Sequence, residues 1–361
     1  MLFFRKSFTV LDIGASHVKA VRLKRGKNSV RLLNQGSARL PEDTFDNGEI
    51  EDISVLASEL EYLFSEMGYK PSSVVTSVPN KNLVIRNIEL PGVVADELDN
   101  TLQWEADEYL PYPAEDAVLD YIMVEEGTER VNIILVASQA HLLNSYQELF
   151  GRLNWNLSVV NVQPLGLLSI LENRNSEFPT SAVIDLGASG SRIIIGDGEG
   201  VYLFRTLDIG GQNFTEVIME KNSVGLQEAE QYKYENGLLT ALKQSEEELE
   251  DDADLEADLL NLSDEGTVEE VMLSTADDLV YEISRSLDYF FRNNPNHEIE
   301  NYYLTGGCSL LKGLKEYLEQ EAEISLEYLD PFTELETENQ DQLNDIQYSV
   351  ALGLGFSEVL S

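Results

Sequence analysis

One short sequence pattern occurs twice in this chain and limits the folds that it can adopt. Residues 10–23 read VLDIGASHVKAVRL, and residues 183–195 read VIDLGASGSRIII. In both, an apolar, β-branched stretch stops at Asp-x-Gly, passes through small residues and resumes, which predicts a β-hairpin. The two aspartates, Asp12 and Asp185, lie 173 residues apart. We therefore expect two similar domains across a cleft, each opening with strand, turn, strand, strand and helix.

The other predicted elements place an insertion in the first of these domains. A chain of 361 residues is too long for one ordinary core, and alternating strand and helix patterns predict the α/β class. The predicted boundaries are 1–82, 154–178 and 342–361 for the first domain, 83–153 for a small inserted α+β module, and 179–341 for the second domain. Residues 244–270 hold thirteen Asp or Glu and no Lys or Arg, which predicts a solvated acidic loop.

Composition excludes several classes of function. A net charge of −42 and a pI near 4.1 argue against a protein that binds nucleic acid through its phosphates. Residues 1–40 nevertheless carry a net charge of +8. Charged side chains on the solvated faces of two strands would account for this local charge. A surface that attracts phosphates or an anionic membrane would account for it equally. The single cysteine and the lack of a long apolar run predict a protein of the reducing cytoplasm, and three histidines do not favour a zinc site.

The two turns have the residues that an anion-binding loop needs. Gly14 and Gly187 would allow positive φ and a close approach of the backbone to a ligand. Successive N–H groups of such a turn can cradle a phosphate. The small residues that keep the mouth of each turn open, with serine hydroxyls as extra donors, are Ala15, Ser16, Ala188 and Ser189.

Charged residues beside the turns predict a magnesium nucleotide as the ligand. Asp12 and Asp185 can hold a hydrated Mg²⁺ and orient an attacking water. Lys19 can reach a β- or γ-phosphate from the returning strand, although a solvated strand lysine would give the same pattern. Residues 304–307 read LTGG and predict a loop that passes under a flat adenine ring. The chain has no GxxxxGK[ST], which excludes a P-loop ATPase.

These motifs resemble those of the actin–sugar kinase–chaperone superfamily. VLDIGASHVKA is similar to its first phosphate loop, VIDLGASGSRIII to its second, and LTGGCSLL to its adenosine loop. More narrowly, the chain resembles the PilM family, the actin-like proteins of type IV pilus assembly. The stretches that carry this likeness are ELDNTLQWEADEYLPYPAEDAVLDY (97–121), FRTLDIGGQNFTEVI (204–218), GLQEAEQYK (225–233), EISRSLDYF (282–290) and LTGGCSLLKGL (304–314). The resemblance implies an actin-like ATPase fold, with two similar domains around a nucleotide cleft and the inserted module in the first.

The resemblance also implies roles for individual residues. The cofactor-binding residues would be Gly14, Ala15, Ser16 and Lys19 in the first phosphate loop, Gly187, Ala188, Ser189 and Ser191 in the second, Gly306, Gly307 and Cys308 under adenine, and Glu230 and Lys233 beside the ribose and base. The catalytic residues would be Asp12, Gln163 and Asp185, with Asp12 and Asp185 as magnesium ligands. Gln163 lies where the superfamily positions the lytic water, and PilM-like proteins tend to have an acidic residue near this position. Since a neutral amide is a weaker base, we expect at most weak ATPase activity.

By the same resemblance, the chain would be an ATP-binding, Mg²⁺-dependent component of the type IV pilus assembly platform. It would be cytoplasmic and peripheral on the inner face of the cytoplasmic membrane. Its partner would be the cytoplasmic tail of a bitopic, PilN-like pilus protein, bound in a groove between the first domain and the inserted module. It would link this protein to the pilus motor ATPases, with self-association as a further expectation and no nucleic acid among its partners.

Alternatives remain open at this point. A filament-forming, FtsA-like division protein usually ends in an amphipathic membrane helix, and SVALGLGFSEVLS at 349–361 lacks a basic amphipathic pattern. A sugar-kinase-like phosphotransferase needs a base and hydroxyl-binding residues, for which no constellation is evident. Among single residues, Glu230 and Lys233 fit an i,i+3 surface pair, Cys308 a small buried hydrophobe, and Trp104 and Tyr109 either the core of the module or the border of a peptide groove.

Overall fold

The computed structural model forms two compact units. The described residues are 7–26, 30–46, 48–78, 83–91, 98–126, 130–238, 267–333, 335–337 and 345–360. Unit 1 comprises Met1–Val183, Ile194–Phe204 and Leu329–Ser361, and unit 2 comprises Ile184–Ile193 and Arg205–Tyr328. The domain boundaries given above stay predictions. Of the predicted acidic loop, residues 244–266 lie outside the described residues.

Strands and helices alternate along the chain, as an α/β protein requires. The strands are β1 (Phe8–Ile13), β2 (His17–Arg25), β3 (Val30–Arg39), β4 (Phe45–Asp46), β5 (Glu49–Ile50), β6 (Val74–Val78), β7 (Val84–Pro91), β8 (Ala117–Glu126), β9 (Arg130–Gln139), β10 (Leu157–Val162), β11 (Ser181–Leu186), β12 (Ser191–Asp197), β13 (Gly200–Leu207), β14 (Asn301–Thr305), β15 (Leu326–Tyr328) and β16 (Leu335–Thr337). The helices are α1 (Ile53–Glu66), α2 (Leu98–Tyr109), α3 (Ala140–Leu153), α4 (Gln163–Arg174), α5 (Gly211–Asn222), α6 (Leu226–Asn236), α7 (Val268–Asn293), α8 (Leu314–Glu321) and α9 (Ser349–Leu360). None of the helices in the described residues combines the length and the apolar composition that crossing a membrane requires.

A six-stranded sheet, in the order β10-β6-β1-β2-β3-β16, is the centre of unit 1. β1 and β2 form the predicted antiparallel hairpin, in which Asp12 stands opposite Lys19, while β6 lies parallel to β1 on its other side. Every residue of β1 is buried, as expected of an apolar strand inside a sheet. The core on one face combines Leu11 of β1 with residues of α1 and α3, namely Leu56, Leu60, Leu149 and Phe150. Helix α3, which we predicted as part of the inserted module, thus packs in this core.

A smaller three-stranded sheet, in the order β7-β9-β8, forms a second part of unit 1. Its strands are antiparallel, and α2 covers one face through Leu98 and Leu102, which pack against Ile88 and Ile133. Within the described residues, β8 lies at one edge of this sheet and β10 at one edge of the six-stranded sheet. Both strands therefore leave main-chain donors and acceptors for pairing.

Unit 2 contains most of a five-stranded sheet in the order β13-β12-β11-β14-β15. The tip of the β12–β13 hairpin, Ile194–Phe204, is counted with unit 1. Helix α7 begins with a capping box between Thr267 and Glu270. Its buried residues recur every three or four positions, which is the stripe of an amphipathic helix; they are Met272, Ala276, Leu279, Ile283, Leu287 and Phe290.

Helices α4 and α9 of unit 1 pack against each other through a pair of glycines. A Cβ atom at Gly353 would stand 2.1 Å from the carbonyl oxygen of Gly166, and one at Gly166 would stand 3.0 Å from the backbone nitrogen of Leu354. Glycine at both positions is what allows the two backbones to approach so closely. Helix α4 begins at Gln163, and α9 carries Glu358. The contact between the two helices therefore helps to position these two residues, which are described below.

The apolar spacing of residues 309–319 predicts one helix there, which begins later in the structure. A short 3-10 turn covers Gly307–Leu310, and α8 starts only at Leu314. Gly313 separates them with a φ of 82°, in the left-handed region where glycine is favoured. The prediction missed this break because the apolar spacing of Leu310, Leu311 and Leu314 reads as continuous.

Candidate functional site

The first Asp-x-Gly turn is closed by backbone hydrogen bonds in unit 1. The Gly14 N–H donates to the His17 carbonyl at 3.0 Å, and the Leu40 N–H donates to the Ser16 carbonyl at 2.8 Å. The Ser16 hydroxyl lies 2.9 Å from Nδ1 of His17. The turn of β1 and β2 is therefore anchored both internally and to the end of β3.

Asp12, at the end of β1, is buried and has two side-chain partners in unit 1. Lys19 Nζ lies 3.5 Å from its Oδ2, and the Gln163 amide donates to its Oδ1 at 3.2 Å. Gln163 is the first residue of α4, and Pro164 in the first turn favours the helix start there. The structure thus brings together three residues predicted from separate parts of the sequence. The Lys19 side chain is only 17% exposed, so it is not a fully solvated strand lysine.

A tyrosine that the sequence analysis missed lies near this carboxylate. Tyr146 of α3 is fully buried, and its hydroxyl has no hydrogen-bond partner among the described residues. Burial raises the pKa of Tyr146 well above its usual value, and the negative charge of Asp12 raises it further. The hydroxyl is therefore neutral at every physiological pH and keeps its proton beside the first turn.

The second turn repeats this geometry in unit 2. The Gly187 N–H donates to the Gly190 carbonyl at 3.1 Å, again across a span of three residues. A Cβ atom at Gly187 would stand 2.6 Å from the same carbonyl oxygen, so the turn requires glycine for close packing. Positive φ, one of the two reasons given above for glycine at Gly14 and Gly187, is wrong for both, because neither is among the glycines with positive φ.

The second turn also packs against the start of α5. The Gly211 N–H donates to the Gly187 carbonyl at 2.9 Å, and the Gln212 N–H donates to the Ala188 carbonyl at 2.8 Å. A Cβ atom at Gly210 would lie 2.5 Å from the Ala188 oxygen. Ser191, predicted to line the turn, instead donates its buried hydroxyl to the Ile209 carbonyl at 2.5 Å. Ser189, by contrast, is exposed at the tip of the turn.

Arg192 of β12 is a site residue that the sequence analysis missed. Its Nη1 pairs with Oδ2 of Asp185. The Asp185 side chain is 3% exposed, whereas the Arg192 side chain is 20% exposed. Arg192 Nη2 also lies 3.4 Å from the position of a Cβ atom at Gly187, so the guanidinium sits beside the turn. A signal was available, since Arg192 follows Asp185 by seven residues just as Lys19 follows Asp12 by seven.

Lys233 and Glu230 form more than an i,i+3 surface pair. Lys233 Nζ donates to Glu230 Oε1 at 2.6 Å, to Thr215 Oγ1 at 2.5 Å and to the Gly211 carbonyl at 3.0 Å. The Thr215 hydroxyl donates to Glu230 in turn. The Lys233 side chain is 16% exposed. This network ties α6 to the first turn of α5, directly beside the second Asp-x-Gly turn.

The predicted adenosine loop lies directly against the second turn. Gly306 has a φ of 87°, and a Cβ atom there would stand 2.3 Å from the Leu186 carbonyl oxygen and 2.4 Å from Asp185 Oδ1. Cys308 Sγ lies 3.6 Å from the position of a Cβ atom at Gly211. Burial raises the pKa of the Cys308 thiol to about 12, which fits a small apolar residue rather than a reactive one.

The backbone of unit 2 fits a nucleotide better than its carboxylate fits a metal ion. The backbones of 187–190, 210–211 and 306–308 converge where added side chains would collide, as a cradle for phosphates or a flat base requires. Across the described ranges, no group of three or more His, Cys, Asp or Glu side chains is arranged to hold a metal ion. Asp185 does not fit the role of a magnesium ligand, because the Arg192 guanidinium occupies its carboxylate and Mg²⁺ needs oxygen ligands at about 2.0–2.1 Å. Asp12, whose lysine is farther away, stays a prediction as a magnesium ligand.

A groove of about 1080 Å³ lies in unit 1 between the two edge strands β8 and β10. On the β8 side, Val118, Ile122 and Val124 line it, each of them more than 40% exposed. Residues of β10 and α4, such as Val160 and Leu168, form the other wall. The groove was expected from the family resemblance, but its lining depends on tertiary placement that the sequence does not show.

Among the described residues, the charged side chains that line this groove are all acidic. They are Asp120, Glu172, Asp197, Glu199 and Glu358. Burial raises the pKa of Glu358, while a hydrogen bond from Asn161 opposes this shift. An apolar floor with carboxylates around it suits an extended apolar peptide segment that carries Lys or Arg nearby.

The two aromatic residues left open between core and surface differ from each other. Trp104 of α2 is 87% exposed, so it is not part of the core of the three-stranded sheet. Tyr109, at the end of the same helix, packs against that core together with Leu119 and Tyr121. Tyr109 therefore lies on the side of α2 that meets the sheet, and Trp104 lies on the side that faces solvent.

Comparison with known proteins identifies relatives for nearly the whole chain. A family model described as type IV pilus assembly protein PilM matches residues 10–246 and 249–358. Among solved structures, a PilM–PilN type IV pilus biogenesis complex matches with a TM-score of 0.81 and 24% sequence identity. The match covers 98% of this chain and 98% of that chain. The narrow resemblance drawn from the sequence is thereby confirmed.

Two further structures are similar in fold at lower identity. The ethanolamine utilization protein EutJ from Carboxydothermus hydrogenoformans has a TM-score of 0.52 at 12% identity, over 98% of this chain and 90% of that chain. MreB5 of Spiroplasma citri bound to ADP has a TM-score of 0.51 at 13% identity, over 98% of this chain and 96% of that chain. Likeness at this level shows the fold, and it confirms the actin-like ATPase fold predicted above.

Proposed function

This chain belongs to the PilM family of type IV pilus assembly proteins, and we propose that it is an ATP-binding component of the pilus assembly platform. In this role it lies at the cytoplasmic face of the inner membrane and binds the cytoplasmic tail of a PilN-like, single-span pilus protein. It links that protein to the pilus motor ATPases, with self-association as a further property. The groove between β8 and β10 is the observation that carries the proposal.

The groove has the geometry of a site for an extended peptide. It is bordered by two edge strands, and an added strand gains main-chain hydrogen bonds from such an edge. The exposed Val118, Ile122 and Val124 offer apolar contacts to alternate side chains of that peptide. Residues of α9 and of the tip of the β12–β13 hairpin also line the groove, and a peptide that fits it is apolar in its centre.

The charge of the groove favours the tail of a membrane protein. Cytoplasmic segments that flank a membrane span carry an excess of Lys and Arg. Five carboxylates and no basic side chain line the groove among the described residues. Opposite charges would therefore steer the tail into the groove and disfavour acidic peptides.

The nucleotide part of the proposal rests on the two Asp-x-Gly turns and the adenosine loop. Close backbone packing at Gly187, Gly210 and Gly306 supports a phosphate and base cradle in unit 2, and within unit 1 the pairing of Asp12 with Lys19 places a cation beside the first turn. Gln163 donates its amide to Asp12 and has no basic group to activate water. We therefore propose ATP as a structural ligand with at most weak turnover, and Mg²⁺ at Asp12.

Fluorescence anisotropy of a labelled tail peptide tests the partner proposal. The peptide is the cytoplasmic tail of the single-span pilus protein from the same organism, and the protein is the full chain. We expect Ile122→Glu to weaken binding at least about tenfold, because it places a charge on the apolar floor of the groove. Leu33→Glu is the matched control, since Leu33 is 42% exposed on β3, away from the groove, and Ile122 is 46% exposed.

Equal loss of affinity in both variants, or no loss in Ile122→Glu, would contradict the groove assignment. The wider role is tested by purifying the tagged protein from gently solubilised membranes. Recovery of a small single-span protein together with motor ATPases supports the platform function. Recovery of a tubulin-like division protein, or of the tagged chain alone, would favour a filament-forming function instead.

A further inference from the structure

The pair between Arg192 and Asp185 is built differently from an ordinary surface salt bridge. The carboxylate is almost fully buried at the end of β11, and its Oδ1 stands against Gly306 with no room for a Cβ atom there. Its Oδ2 is held by Nη1 of Arg192. The Arg192 side chain is more exposed than the Asp185 side chain, at 20% against 3%, and its Nη2 lies beside Gly187. The buried carboxylate therefore presents a fixed cation at the surface of the second turn.

This arrangement conflicts with a divalent cation at Asp185. Mg²⁺ requires near-octahedral oxygen ligands and keeps several of its waters, whereas one side of this carboxylate is blocked by backbone and the other is bound by a guanidinium. Bringing a second cation to the same carboxylate would place like charges side by side. Displacing Arg192 would leave a buried carboxylate without its partner, which is strongly unfavourable.

The guanidinium has what a phosphate site needs in place of the metal ion. It carries five N–H donors in a planar fork, and one carboxylate engages at most two of them. Paired N–H···O bonds from arginine to phosphate are short and strong. The turn beside it is closed by the Gly187 to Gly190 hydrogen bond, and Gly210 lies against it, so the backbone allows a ligand to come close.

We infer that the second Asp-x-Gly turn binds nucleotide phosphate through Arg192, which takes the place of a divalent cation at Asp185, so that the Mg²⁺ proposed above at Asp12 is not required for this protein to bind ATP and ADP. The inference rests on the proposed nucleotide site and adds to it the Arg192 guanidinium as the group whose positive charge binds the phosphate. Asp185 is then a positioning residue, which holds the guanidinium against the turn. The first turn has a looser arrangement, with Lys19 at 3.5 Å from Asp12.

Isothermal titration calorimetry of the full chain with ATP and with ADP tests this inference, in excess Mg²⁺ and in excess EDTA. For the unchanged protein we expect dissociation constants that differ less than about threefold between the two buffers. Arg192→Gln should weaken binding at least about tenfold in EDTA, because it removes the charge-assisted contact. Arg192→Lys should keep part of the affinity, since it retains the charge but loses the planar fork.

Two further variants keep the test independent of folding. Asp185→Asn combined with Arg192→Gln removes both charges, so no buried carboxylate is left alone, and it should lose affinity like Arg192→Gln. Arg205→Gln is the matched control, because Arg205 pairs with Glu282 in the same unit and takes no part in the turn. It should bind nucleotide like the unchanged protein in both buffers. Circular dichroism verifies the fold of every variant.

The outcomes separate this inference from the proposed function. Binding of the unchanged protein in Mg²⁺ but not in EDTA would overturn the role of Arg192 while leaving the nucleotide site in place. Full affinity of the double variant in EDTA would overturn it as well. Absence of ATP and ADP binding in either buffer would overturn the proposed nucleotide function, and this inference with it.

Discussion

Replacing Gly353 by alanine should destabilise unit 1, although alanine favours helices. The added Cβ atom would stand 2.1 Å from the Gly166 carbonyl oxygen, where ordinary contacts begin at 3.4 Å, so α4 and α9 would have to separate by about 1.3 Å. The obstacle is backbone and cannot turn aside as a side chain can. Overpacking a core costs up to about 3 kcal/mol, and the gain in helix propensity offsets about 1 kcal/mol, which leaves a loss of about 2 kcal/mol.

Thermal unfolding followed by circular dichroism measures this loss. For a unit of this size, about 2 kcal/mol corresponds to a decrease in Tm of about 4–8 °C. Gly151→Ala is the control, because it makes the same substitution in helix α3 at a position with no atom within 4 Å of the added Cβ. We expect the free energy of unfolding of this variant to stay the same or to rise by about 1 kcal/mol at most, so its Tm should not fall.

The same variant links the helix contact to function. Helix α4 starts at Gln163, which bonds Asp12, and α9 carries Glu358, which lines the groove. Separation of the two helices should therefore weaken tail-peptide binding in Gly353→Ala but not in Gly151→Ala. A Tm for Gly353→Ala equal to that of Gly151→Ala would refute the reasoning, because it would mean that the two helices move apart at no cost.

Two other predictions follow from buried titratable groups. Burial raises the pKa of Cys308 to about 12, so iodoacetamide should label the native protein slowly at pH 8 and rapidly in guanidinium chloride. Mass spectrometry measures the labelling, and fast labelling of the native protein would contradict the prediction. Burial also raises the pKa of Glu358 in the folded state, so its ionised form opposes folding above that pKa. Glu358→Gln should therefore raise the Tm at pH 7.5, and the gain should shrink as the pH falls towards the ordinary glutamate pKa of about 4.3; a lower Tm at pH 7.5 would contradict this.

The sequence predicted those features that depend on local pattern. The pattern of β-branched stretches around a turn of small residues predicts the strands of the first hairpin at 8–13 and 18–23, and they are found at Phe8–Ile13 and His17–Arg25. The helical spacing of apolar residues predicts a helix over 140–153, and α3 has these bounds. The doubled Asp-x-Gly turn likewise led to Asp12 and Lys19, which pair directly across β1 and β2.

Features that depend on tertiary packing escaped the sequence analysis. The need for glycine at Gly187 comes from the Gly190 carbonyl 2.6 Å away, not from positive φ, and only the folded turn shows that distance. The exposure of Trp104 depends on which face of α2 meets the sheet. The partner of Asp185 depends on the path of one long side chain, so Arg192 was overlooked even though the seven-residue spacing was visible.

The pairing of carboxylates with cations would explain how a strongly acidic chain could offer the proposed site to a polyphosphate. With a net charge of −42, the protein repels a nucleotide at long range, and mobile lysines or arginines would be drawn to the many carboxylates of its surface. Lys19, Arg192 and Lys233 are instead each held by a carboxylate beside a predicted loop. A cation that is already in place costs no reorganisation when a phosphate arrives. The carboxylates of the two turns therefore act first as anchors for cations, and this favours a nucleotide that is bound over one that is rapidly hydrolysed.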